Sequence, residues 1–233
     1  MPRVIPSALA TCATLAMSVP AFSADVSFSG VLPMGQLYTA PVESMLEARY
    51  RNIVRQKTDF SCGAAAMATL LRYAYDLDVD EEMVMQGMMQ AADPELVKTK
   101  GFSLLDIKRY AESLGFRGRG YRLTLDRLRT LRVPTIVLLD IRGYKHFVVL
   151  KQVRGDQVDI ADPALGNKSM PLEEFIQSWP SQAVFAVIGN GFNRNTALLE
   201  PHRTLSAKTL FAAQGPITEA ELLDFGFTHA DLF

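Results

Sequence analysis

Cysteine is nearly absent from this chain. Only Cys12 and Cys62 occur in 233 residues, and Cys12 lies in an N-terminal stretch that reads as a removable export signal. Residues 1–25 hold a single positive charge at Arg3, a short apolar run, and the small residues Ala21, Ser23 and Ala24 ahead of Asp25, the first acid. This is the pattern of a secretory signal peptide cut after Ser23 or Ala24. The run is too short to anchor in roughly 30 Å of hydrocarbon, and most of it follows Cys12, unlike a lipoprotein signal. The mature protein is expected in the periplasm with Cys62 as its one sulfhydryl, which excludes an internal disulfide. A lone thiol in an exported protein is either buried and inert or has a task.

An excess of charge is missing too. Lys and Arg total 24 against 25 Asp and Glu, a net charge of -1, so neither nucleic acid nor an anionic membrane surface is an expected partner. Beyond the signal there is no apolar run long enough to span a membrane, and no Gly-rich phosphate loop of the Walker type. No metal or cofactor is expected. Met83, Met85, Met88 and Met89 read as core filling, not as a metal box. A composition of 48% hydrophobic and 21% charged residues suits one globular domain with appendages. The expected division is a signal peptide over 1–24, an arm over 25–45 that forms an edge strand or packs extended on the domain, a domain over 46–191, and an extension over 192–233.

What the chain does contain is organised around residues 56–75. A cysteine followed by Gly63 and three alanines, then by apolar residues at helical spacing, predicts a buried helix from Ser61 or Cys62 to Tyr75 with the thiol in its first turn. There the helix dipole and unpaired N–H groups favour the thiolate, and such positions can lower a cysteine pKa from about 8.5 into the range of roughly 3.5–7.5. A second helix is expected over Asp80–Gln90. A polar loop should follow through Asp93 and Pro94 to Gly101. A third helix over Leu104–Leu114 has Ser103 as its cap and Gly115 as its stop, and places 104, 107, 110, 111 and 114 on one face. The register of 47–55 stays open between helix and strand. A short strand near 118–124 and a short helix over 125–131 come next. Three β-rich runs, 134–141, 145–153 and 157–161, are joined by loops so short that the strands must be antiparallel neighbours. Residues 162–167 read as a turn, 171–179 as a helix, 183–188 as a closing strand, and 220–225 as a last helix behind a capping box. Helices first and an antiparallel sheet second predict an α+β fold with the Cys62 helix packed on the sheet.

Histidine is as scarce as cysteine. A cysteine nucleophile needs a base, an orienting group and oxyanion donors, and only His146, His202 and His229 are on offer. His202 and His229 lie in the loosely patterned tail, whereas His146 opens an apolar strand after a tight turn at Gly143. Asp162 ends the neighbouring strand, where antiparallel pairing returns the chain towards His146. Its carboxylate would accept the imidazole N–H and turn the other ring nitrogen towards sulfur, although Asp-Pro alone is simply a good turn starter. Gln56 lies six positions before Cys62 and would join the Cys62 backbone N–H as an oxyanion donor.

Taken together, Gln56-x5-Cys62-Gly-Ala, His146-Phe-Val-Val-Leu and Asp162-Pro-Ala-Leu-Gly resemble the papain-like cysteine peptidases that trim double-glycine leaders from bacteriocin precursors. The resemblance covers about residues 50–190. It implies a papain-like fold with Cys62 as nucleophile, His146 as general base and acid, Asp162 as orienting carboxylate, Gln56 as oxyanion donor, and a peptide or protein as substrate. Those enzymes are usually fused to membrane-spanning and ATPase segments, and they work on the cytoplasmic side. A freestanding exported version is similar to the peptidase-like component of bacterial functional-amyloid export systems, which implies amyloid subunits and an outer-membrane exporter as partners. Two other readings use the same cleft. One is a chaperone or adaptor that holds an extended segment without cutting it, and the other is acyl transfer to a different amide.

Overall fold

The computed structural model describes residues 24–28, 38–42 and 44–200. The expected signal peptide up to Ser23, the expected helix over 220–225, and both His202 and His229 lie outside the described residues. The chain divides into two compact units, with the boundary between Ala48 and Arg49. In the first, β1 (Ala24–Phe28) pairs antiparallel with β2 (Tyr38–Val42), Ala24 opposite Val42 and Phe28 opposite Tyr38. The two form a sheet of their own. The expected edge strand is thus corrected: two alternating segments satisfy one another's backbone groups and do not extend the larger sheet. A short helix α1 (Met45–Arg49) settles the open register after residue 44. At its start the Ser44 N–H donates to the Glu47 carboxylate at 2.8 Å and the Glu47 N–H to the Ser44 hydroxyl oxygen at 3.1 Å.

The second unit is built on α2 (Cys62–Ala74), in which Cys62 to Leu71 are all buried. Gly63 and the alanines at 64–66 and 68 let neighbours approach its backbone closely, so a helix with no broad polar face can sit inside the molecule. Thr69, the buried hydroxyl at its centre, donates to the Ala65 carbonyl at 2.8 Å and accepts the Val54 N–H at 3.0 Å. α3 (Glu81–Met89) follows, with Asp80 outside it as N-cap and accepting from Met83 N at 2.8 Å. Of the four methionines, Met88 is in the core while Met83 is 54% exposed, so core filling applies to only part of the set.

The loop expected over 93–101 is instead a helix, α4 (Pro94–Lys100). Asp93 caps it through Glu95 N and Leu96 N, and Pro94 occupies the first turn, where its missing N–H costs nothing. α5 (Leu104–Ser113) has the full capping box between Ser103 and Asp106, and Gly115 leaves it at φ +82°.

The sheet has six antiparallel strands in the order β3-β8-β4-β5-β6-β7. β3 (Arg117–Arg122) is an edge, and α6 (Leu125–Thr130) leads to the expected meander of β4 (Thr135–Ile141), β5 (Tyr144–Arg154) and β6 (Gln157–Asp162). The β4–β5 turn is tight because Arg142 and Gly143 both take positive φ, +55° and +85°. The turn expected over 162–167 ends early. Gly166–Pro171 is a further strand, β7, paired along the whole of β6. After α7 (Leu172–Gln177), β8 (Ala183–Ile188) inserts between β3 and β4.

Two cores flank the sheet. Met67, Leu70, Ile107, Val149 and Phe185 pack on the α2 side, and Leu128, Val137, Leu150, Ile160 and Phe175 on the other. Each such fully buried side chain contributes about 1.5–3 kcal/mol. The sheet is therefore a rigid wall, and β5 runs through its middle with a partner on either side.

Candidate active site

Four segments converge at the rim where α2 begins. Cys62 is the first residue of α2 and is 7% exposed; His146 is the third residue of β5; Asp162 is the last of β6. The β5–β6 register sets Val149 opposite Ala161, so Asp162 lies diagonally across from His146 and its carboxylate reaches the ring. His146 Nε2 to Asp162 Oδ1 is 2.8 Å, with both residues buried. The same Oδ1 accepts the backbone N–H groups of Ala164 at 2.8 Å and Leu165 at 3.0 Å, so the turn after β6 fixes the carboxylate before the imidazole uses it. The Tyr50 hydroxyl donates to the Ala164 carbonyl and holds that turn from outside.

The other ring nitrogen, His146 Nδ1, is buried and has no hydrogen-bond partner among the described residues, which leaves it for Cys62. Phe147 and Val149 face α2 while Val148 and Leu150 face the opposite core. His146 shares the phase of the latter pair, and both Asp162 and Cys62 influence its charge. Cys62, Tyr144 and Phe147 line one cleft, so the first turn of α2 and the start of β5 lie at the same rim.

Charge is arranged to match. Burial opposes a positive imidazole, but Asp162, through its hydrogen bond and charge, and the nearby Cys62 outweigh it and raise His146 from 6.5 to about 9. Burial also pushes Asp162 up. The bond and charge of His146 and the two turn N–H groups push harder the other way, so its carboxyl lies below the usual value. The ring is thus held as an imidazolium at neutral pH, facing a sulfur at a helix N-terminus.

Gln56 is brought to the same place. Its backbone N–H donates to the Pro163 carbonyl at 3.0 Å, one residue beyond Asp162. Its side-chain Nε2 donates to the Thr58 carbonyl at 3.2 Å, leaving a second N–H on the same nitrogen. Ser61 stands at the N-cap of α2 but gives it no side-chain cap, so the first-turn N–H groups beside Cys62 are not claimed by a hydroxyl.

Two neighbours escaped sequence reasoning. Tyr144 stacks on the His146 ring, with centroids 5.9 Å apart and planes 27° apart, and is 55% exposed; its place two residues before His146, on the same face of the strand, was the available signal. Glu81, in the first turn of α3, is buried and turned towards residues 57–61. No sequence signal distinguishes it from Glu82. A cleft of about 1140 Å³ opens beside Cys62, walled by Phe60, Phe102, Leu138, Tyr144 and Phe147. A second, apolar hollow of about 420 Å³ lies at the far end of α2 beside Ala74 and Tyr75 and includes none of the four residues above. No cluster of metal ligands occurs among the described residues. No helix among them is long and apolar enough to cross a membrane.

Comparison with known proteins gives the same picture. The family described as "Peptidase C39 family" matches residues 50–188. The "Probable functional amyloid protease FapD" of Pseudomonas fluorescens is 49% identical over 222 residues, covering 95% of this chain and 97% of that protein. Its namesake in Pseudomonas aeruginosa is 51% identical over 202 residues, covering 87% and 89%. Among solved structures, a double glycine motif protease from an AMS/PCAT transporter, crystallised with the leader peptide, is similar at a TM-score of 0.51. It is 29% identical, and the match covers 59% of this chain and 91% of that one. The α+β architecture is therefore the papain-like fold. With half its residues shared along nearly the full length of two named proteases, and with the family's own span reproduced over 50–188, the chain belongs to the peptidase C39 family and is a cysteine peptidase.

Proposed function

We propose that this peptidase is exported to the periplasm and cleaves a peptide bond in a secreted subunit of a functional-amyloid system, with Cys62, His146, Asp162 and Gln56 as its working residues. The observation that carries the assignment is the buried 2.8 Å bond from His146 to Asp162 with the opposite ring nitrogen left for Cys62. Cys62 sulfur attacks the scissile carbonyl carbon, and the carbonyl oxygen becomes an oxyanion received by the Cys62 N–H and the spare Gln56 N–H. His146 gives its proton to the leaving nitrogen as the C–N bond breaks, which leaves a thioester. Water then attacks that thioester with His146 as base, the C–S bond breaks, and the acid product departs as the sulfur anion and imidazolium return. Asp162 keeps Nδ1 directed at sulfur throughout and takes no proton.

The names of the two relatives support an amyloid client, and the signal-like residues 1–24 support export. The cleft beside Cys62, of about 1140 Å³, has aromatic walls that suit a peptide. The test is to incubate the mature protein and its Cys62→Ala variant with candidate exported subunits and read intact masses. The proposal expects two fragments whose masses sum to the subunit plus one water with wild type, and none with Cys62→Ala. Unchanged subunit in both, or equal cleavage in both, overturns it.

A further inference from the structure

One buried acid has no part in the steps above. Glu81, the first residue of α3, is 2% exposed, although an acid at a helix start ordinarily lies in water. Its Oε1 accepts the Lys57 backbone N–H at 2.8 Å and also the Ser61 hydroxyl. Both donors belong to the six-residue span from Gln56 to Ser61 that ends at the nucleophile. The Ser61 oxygen also lies 2.8 Å from the Thr58 carbonyl, so its single proton is shared between that carbonyl and Glu81, and it accepts the Thr58 N–H at 3.3 Å. The Thr58 carbonyl is the group that receives Gln56 Nε2. Gln56 Oε1 is buried without a partner, so among the described residues that carbonyl alone orients the amide.

We propose that Glu81 is a positioning residue for the oxyanion donors, acting through Ser61 and Thr58 on Gln56; this rests on the donor role given to Gln56 above. The carboxylate does two things at once. It fixes the loop that aims the Gln56 N–H, and it draws the Ser61 hydroxyl away from the cap of α2, which keeps the N–H groups beside Cys62 open. The side chain touches neither sulfur nor imidazole. Its effect falls on the developing oxyanion and not on the thiol.

That separation defines the experiment, which needs no natural client. 4-Nitrophenyl acetate acetylates a reactive thiol through an oxyanion and releases 4-nitrophenolate, whereas iodoacetamide alkylates the same sulfur by displacement of iodide, with no oxyanion. In the full chain, Glu81→Ala slows nitrophenolate release about ten- to hundredfold, the scale of a misplaced catalytic group, and leaves the alkylation rate near wild type. Glu81→Gln, which keeps an acceptor oxygen, recovers most of the loss. Gln56→Ala is also slow, and adding Glu81→Ala to it causes no further loss, because the two act on one element. If Glu81→Ala does not melt cooperatively, Ser61→Ala carries the same expectation, since it removes the hydroxyl that joins Glu81 to Thr58 and leaves Lys57 paired. Equal loss in both reactions, or losses that multiply in the double variant, overturns the role of Glu81. Gln56→Ala with wild-type acetylation overturns the donor reading itself, and slow Gln56→Ala beside normal Glu81→Ala overturns only the present inference.

Discussion

At the scale of single residues, the imidazole of His146 carries the most consequence, because its protonation is set by what surrounds it. Asp162 and Cys62 both raise it towards about 9 against the pull of burial. Cys62→Ala removes one of those influences, so the ring should titrate at lower pH, which NMR of the imidazole protons reads directly; an unmoved pKa would mean that sulfur and ring do not meet. Asp162→Asn removes the larger one, and peptidase activity should fall by about a hundredfold or more. The sign of the pH effect on stability follows from the same shifts. A folded-state value above the unfolded 6.5 gives His146 a stabilising contribution that is complete below pH 6.5 and lost as pH rises through about 9. Asp162, lowered from 3.8, contributes above that value and loses its contribution as pH falls through its own depressed pKa. Urea unfolding should therefore show wild type losing stability between pH 6.5 and 9.5, with His146→Ala flat across that window.

At the scale of elements, the turn between β6 and β7 holds the site together. Gly166 sits there at φ +85°, and a Cβ on it would come within 2.6 Å of the Arg49 carbonyl oxygen. Gly166→Ala should cost about 1–3 kcal/mol and lower the melting temperature by about 2–4 °C for each of them. A calorimetric scan unchanged from wild type would show that the turn does not need its glycine. Loss of the Ser103 hydroxyl from the α5 capping box should cost about 1 kcal/mol. These elements also show what was legible beforehand. The Cys62 helix and the three-strand meander stood out because their patterns are strong and their loops short. α4 did not, because its seven residues carry only one buried side chain, Val97, and Asp93-Pro94 reads equally as a turn or as cap and first residue. β7 was hidden for a related reason. It is an edge strand, Gly-Asn-Lys-Ser-Met-Pro, with polar residues on both faces and too little alternation to announce itself. Cys62, His146, Asp162 and Gln56 stand out as candidates by their motifs, whereas the burial of Glu81 depends on how α3 packs and could not be read from one dimension.

At the scale of the whole molecule, the peptidase unit brings together residues from both ends of its own sequence, and a maturation step is expected ahead of it. Protein recovered from the periplasm of an expressing cell should begin at Ala24 or Asp25 by intact mass; recovery with residues 1–23 still attached would refute export with cleavage. The two halves of the site are joined by one main-chain hydrogen bond, from Gln56 N–H to the Pro163 carbonyl. That amide proton is a built-in clock. Whenever the segment bearing the donor parts from the turn that follows the acid, the proton becomes free to exchange with deuterium, and the donor and the acid leave their stations together. Its exchange rate would thus report how often the enzyme is disarmed at rest, and a ligand that keeps the machinery assembled would slow that one amide ahead of its neighbours.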